Sequence, residues 1–223
     1  MNIQAKVVRL LPLIALLLIA QVAGAHTINY AMEEAPTQQV LWFYLKLGVT
    51  HIIPYGIDHI LFVVCLCLLQ TKWKTILWQA TAFTIAHSIT LALSSKGIIQ
   101  LPAQIVEPII ALSILYVAIE NLMARQLNRG RLVVIFLFGL IHGLGFASAL
   151  NEIGLPRNRF FEAIIGFNLG VELGQIMVIA VVFGLFILPF RNKALYQKIV
   201  IYPSSLIIIL MAGYWTWQRI SGV

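Results

Sequence analysis

Apolar residues fill most of this chain in long runs, and short polar stretches interrupt them at near-regular intervals. Six runs have the length of a membrane helix, at approximately 54–71, 75–95, 102–123, 132–150, 162–188 and 199–218. At about 1.5 Å rise per residue, such runs match a hydrocarbon core of about 30 Å. The pattern ahead of them differs. Lys6 and Arg9 precede an apolar stretch, Leu10–Ala20, and then the small residues Val22-Ala-Gly-Ala25. That order predicts a signal peptide over residues 1–25, cleaved to leave His26 as an extracytoplasmic N-terminus. Residues 26–39 are polar and read as an extracytoplasmic lead. Val40–Thr50 carries Trp42, Phe43 and Tyr44, aromatics suited to a membrane interface, and reads as an interfacial helix. Pro54 disfavours helix at Ile53 and suits the first turn of a new one, so a break is expected at residues 51–53. The expected architecture over 40–223 is all-α: an interfacial helix followed by six transmembrane helices in one bundle.

Composition agrees with the pattern. Of 223 residues, 61% are hydrophobic and 10% charged, where a soluble domain is about a quarter charged. The net charge of +7 does not point to nucleic acid, because the basic residues lie scattered in short loops. Their distribution gives an orientation instead. Loops after the first, third and fifth runs hold Lys72, Lys74, Arg125, Arg129, Arg131, Arg191, Lys193 and Lys198 without an acid. The positive-inside rule makes that side cytoplasmic and puts both termini outside. Cys65 and Cys67 stand two apart within a run, point to different helix faces, and read as packing residues.

The candidate chemistry is concentrated at one depth. Counting from the helix ends, Asp58, His59, His87, Glu107, His142, Asn168 and Glu172 all fall in the outer half of five different spans. No Lys or Arg lies inside those spans beside the carboxylates, and an unpaired carboxylate there draws a proton or a cation. Imidazole with carboxylate suits Zn²⁺, Ni²⁺ or Co²⁺. The expected site is therefore a divalent transition-metal centre with His51, Asp58, His59, His87 and His142 as ligands. Glu107, Asn168 and Glu172 enter as ligands, supporting groups or a base. Thr84 and Ser88 share a polar side of the second span with Thr81 and His87, and are candidates to support the site. Gly166, Gly170 and Gly174 recur every four residues, as in a close helix–helix contact.

Several motifs resemble one family. They are Gly56-Ile-Asp-His-Ile-Leu-Phe62, Ala82-Phe-Thr-Ile-Ala-His-Ser-Ile-Thr-Leu91, Val106-Glu-Pro-Ile-Ile-Ala-Leu-Ser113, Phe138-Gly-Leu-Ile-His-Gly-Leu-Gly-Phe-Ala147 and Phe167-Asn-Leu-Gly-Val-Glu-Leu-Gly-Gln175. In order over residues 40–215, they resemble the HupE/UreJ family of bacterial membrane proteins. That resemblance implies a nickel or cobalt permease in the bacterial cytoplasmic (inner) membrane, with metal ion and lipid as partners. It implies a metal-binding element of His, five residues, then Asp-His. Asp58 and His59 match it, whereas His51 stands one residue too far upstream. The residues alone prefer a one-sided site, which suits a membrane-embedded metal-dependent hydrolase with Glu172 or Glu107 as its base; a metal-binding subunit of a larger assembly is the third reading.

Overall fold

A computed structural model describes residues 31–70, 72–123, 130–190 and 193–222. The signal-peptide segment, His26, and the loop residues Arg125, Arg129 and Arg191 lie outside the described residues. The described chain is helical, and no strand occurs among the described residues. After a short helical stretch at 31–34 come α1 (Thr37–Ile52), α2 (Ile57–Leu69), α3 (Trp73–Ser95), α4 (Ala103–Met123), α5 (Arg131–Ile153) and α6 (Phe160–Val182). A wide π turn, Phe183–Ile187, extends α6, and α7 runs Ala194–Ser221 through a second one at Gln197–Ile201. The last five helices are each long and apolar enough to cross a membrane. The protein is an integral membrane protein, and these helices match the runs expected from the sequence.

The first span differs from the expectation. Helix α2 has 13 residues, about 20 Å at the α-helical rise, too short to cross alone. Helices α1 and α2 meet at a bend of 71°. Their outer partners show where the pair begins and ends. At one end, which we term the upper end, Glu33 accepts from the Arg157 backbone N–H, and Thr37 accepts from Arg159. At the lower end, Asn121 donates to the Cys65 carbonyl at 2.9 Å and Tyr196 to the Leu68 carbonyl at 3.3 Å. The pair thus crosses the bundle once, as a broken helix.

Helix α1 is not a lone interfacial element. Val40, Tyr44 and Ile52 are fully buried, and Tyr44 donates a hydrogen bond to the Gly154 carbonyl at 2.5 Å; Trp42 stays exposed. What admits α1 to the core is the glycine ladder of α6. A Cβ on Gly166 would meet Leu41, on Gly170 the Leu45 carbonyl, and on Gly174 the Ile52 side chain. The matching order, 41 with 166 and 52 with 174, makes α1 parallel to α6, with its C-terminus beside the middle of that helix. Gly48 answers from α1, where a Cβ would strike the Phe167 carbonyl. Helices α3 and α5 pair in the same way, Gly139 against the Phe83 carbonyl and Gly143 against the His87 carbonyl. Small residues let such backbones approach where the lipid supplies no hydrophobic drive. Helix α4 packs along α7, and α2 contacts α1, α3, α4 and α6 from the middle.

Candidate metal centre

The break between α1 and α2 places the first two imidazoles. His51 is in the last turn of α1, and His59 is in the first turn of α2. Gly56 caps α2 and lies where any Cβ would strike the His51 carbonyl, so the bend closes tightly on itself. His87 reaches in from α3 where Gly143 of α5 lets the two backbones touch. The result is a triad. Ligand nitrogens of His51, His59 and His87 all lie within 4.8 Å of one another. Their rings are edge-on or tilted, with centroids 4.7 Å apart for His51 and His59, and 5.8 Å for His59 and His87. His142 of α5 adds a fourth ring, 5.0 Å from that of His59.

Each ring keeps one nitrogen without a hydrogen-bond partner: Nε2 of His51, His59 and His87, and Nδ1 of His142. Buried polar atoms are normally paired, so four orphans in one cluster is the mark of a ligand-binding site. Neighbours set two of the tautomers. Asn168 gives its amide N–H to the Ile164 carbonyl at 2.8 Å, which turns its oxygen to His87 Nδ1 at 3.4 Å. Nδ1 of His87 is then the donor, and Nε2 carries the free lone pair. Ser113 gives its hydroxyl proton to the Ile110 carbonyl at 2.7 Å, so its oxygen accepts from His142 Nε2 at 2.9 Å and leaves Nδ1 free. Aromatic rings wall the cluster. Phe146 lies 3.8 Å from His51 between ring centroids and stacks on Phe167, while Phe83 packs edge-on against both His59 and His142. Such walls hold the imidazoles in place.

The carboxylates are distributed differently from the sequence expectation. Asp58 is not an unpaired charge: Arg219, near the end of α7, binds its Oδ2 at 2.9 Å and also donates to the Glu107 carbonyl. The expectation that no cation stands beside the intramembrane carboxylates fails here, because α7 returns to the head of α2 from 161 residues away. Asp58, Glu107 and Arg219 line a cavity of about 580 Å³ that reaches His51, His59 and His142. Glu107 is exposed in its wall. Glu172 is elsewhere. It faces α3 across a second cavity and accepts from Thr81 at 2.6 Å. Ser88 and Thr84 line that same groove, and their hydroxyls bond to the Thr84 carbonyl and to Gln175 respectively. They do not reach the imidazoles. Glu120, near the lower end of α4, pairs with the buried Arg131 at 2.9 Å.

The structure therefore brings together His51, His59, His87 and His142, and places the Asn168 oxygen against His87 Nδ1. It separates Glu172, Thr84 and Ser88 from the cluster. Sequence reasoning missed Ser113 and Arg219. Ser113 closes the Val106–Ser113 motif and stands six residues beyond Glu107, a signal within reach of the sequence; Arg219, in a terminal amphipathic turn, carries none.

With the site described, comparison with known proteins gives one match. The family model for HupE / UreJ proteins covers residues 27–219, nearly the whole chain. The chain belongs to the HupE/UreJ family. This is a family related to nickel and cobalt transport, and the histidine cluster is a possible metal site within it. No curated protein and no solved structure matches the chain.

Proposed function

We propose that this HupE/UreJ protein is a permease for a divalent transition metal, Ni²⁺ or Co²⁺ first and Zn²⁺ next, and that His51, His59 and His87 capture the ion. The observation that carries the reading is the triad of buried imidazoles with unpartnered nitrogens within 4.8 Å of one another. All-nitrogen donors suit these borderline ions better than Cu⁺ or Ca²⁺. Metal–nitrogen bonds of about 2.0–2.1 Å require ligands closer together than this, and rotation of the rings brings them in. His142 is the fourth donor. Placing the site at a broken helix, with His51 on one side of the break and His59 on the other, suits an ion that must be both bound and released.

The upper end is read as extracytoplasmic, from the loop charges. The cavity beside the triad then opens toward the outside, and Asp58 and Glu107 in its wall favour the entry of cations. Arg219 holds Asp58 away from the triad until an ion arrives. Uptake of Ni²⁺ or Co²⁺ into proteoliposomes tests the reading, with His59→Ala as the control. Uptake by the wild type and none by the variant is expected. Binding without uptake would replace transport by the second reading, a metal-dependent hydrolase. One feature favours that alternative: a cavity of about 580 Å³ with Glu107 in its wall is larger than a bare ion needs.

A further inference from the structure

The groove that holds Glu172 is unused by the metal site. It lies between α3 and α6, encloses about 370 Å³, and is lined by Thr81, Thr84, Ser88, Asn168 and Glu172 among isoleucines and a leucine. Its rim residues Ile85, Ile165 and Leu169 are exposed on the apolar flank of the bundle, so the groove faces lipid. Glu172 is the one titratable group among its lining residues. The carboxyl is half satisfied: Oε1 accepts from Thr81 at 2.6 Å, while Oε2 is buried and has no partner. A carboxylate in that position needs a counter-charge, and no Lys or Arg lines the groove. What it has are oxygen atoms. Thr81 bonds the acid, and Ser88 and Asn168 line the same groove with it, a set of neutral oxygens that suits a small hard cation and not a transition metal.

A physical link runs from this groove to the histidines. Asn168 is one helical turn before Glu172 on α6, lines the groove, and also orients His87 through Nδ1. The titratable groups behind it are His87 itself and, beyond, His51 and His59. We propose that Glu172 is a monovalent-cation site, taking a proton or Na⁺ from the membrane side, and that Asn168 communicates its occupancy to His87. The site itself stands without the metal reading; its coupling role rests on that reading. A cation bound at Glu172 favours one placement of Asn168 and hence one orientation of the His87 ring. Loading the groove and releasing the metal become linked equilibria.

A hydrophobic carbodiimide, which reacts with a protonated carboxyl from the lipid phase, probes the site in vesicles of the full-length protein. Labelling at Glu172, located by mass spectrometry, is expected to exceed that at Asp58, Glu107 and Glu120. If a proton occupies the site, labelling falls by about tenfold per pH unit above the carboxyl's midpoint and ignores Na⁺. If Na⁺ occupies it, labelling at fixed pH falls with Na⁺ but not with K⁺. Glu172→Gln removes the label. Thr81→Val keeps the carboxyl and alters the protection, a control for a variant that fails to fold. Absence of label at Glu172, or a rate indifferent to both pH and Na⁺, overturns the proposal. Neither readout requires bound metal, so the cation site at Glu172 and the metal site fail or survive separately.

Discussion

At the scale of single residues, tautomer decides what each histidine can do. Asn168 and Ser113 each occupy one nitrogen of a buried ring and leave the other free, which on the proposed reading prepares a ligand before any metal arrives. Groups of this kind contribute about 10–100-fold to metal affinity. Asn168→Ala is therefore expected to weaken Ni²⁺ binding by about that factor, and His59→Ala to abolish it, in competition titrations of the purified protein. A wild-type affinity in Asn168→Ala would remove Asn168 from the site. Asp58 gives a different expectation. It pairs with Arg219 with both side chains about a quarter exposed, so the pair is partly screened. In a thermal-unfolding double-mutant cycle, Asp58→Asn and Arg219→Gln should be non-additive by about 0.5–1 kcal/mol. Both His51 and His59 were named from the sequence, but only His59 matches the motif in register. Spacing along the chain put His51 one residue out of register, and the tight turn at Gly56 absorbs that residue and returns the ring to the cluster.

At the scale of helices, the site depends on how closely α1 lies against α6 and α3 against α5. Gly170 and Gly48 face each other's backbones, and a methyl group on either has nowhere to go. Gly170→Ala should destabilise the protein by about 1–3 kcal/mol, the usual cost of overpacking, and should also weaken metal binding by displacing His51. Gly184, with open space around its Cβ position, is the matched control, and Gly184→Ala should leave both unchanged. A thermal-shift assay with and without Ni²⁺ reads both effects. The glycine spacing announced a close contact; it did not name the partner. That partner is α1, a segment whose aromatics suggested the membrane surface. Tyr44 shows why the suggestion failed: its ring is buried and its hydroxyl finds the Gly154 carbonyl, so the side chain has an apolar body and a satisfied polar tip inside the protein.

At the scale of the molecule, one bent span and five continuous ones gather four imidazoles from α1, α2, α3 and α5. Because the folded state alone assembles them, Ni²⁺ should stabilise it: about 2.7 kcal/mol at 100 times Kd for one site. A rise in unfolding temperature in the wild type and none in His59→Ala is the expected result. Topology has its own test. Cysteine labelling at the α4–α5 connection and at the C-terminus should report opposite faces of the membrane, the C-terminus outside. The sequence by itself determined the helix count, the last five spans and the position of each polar residue along its helix, because hydrophobic length and a fixed rise per residue are local quantities. Depth is one coordinate of three. Which way a side chain faces around its helix is settled by the neighbour that helix packs against, and that was decided by tertiary structure. Glu172 and His87 were expected at one depth, yet α6 turns the first toward a lipid-facing groove while α3 turns the second toward the triad. Likewise Arg219 neutralises Asp58 only because α7 folds back along α4 to the head of α2. Contacts between residues so distant in sequence leave no periodicity to read.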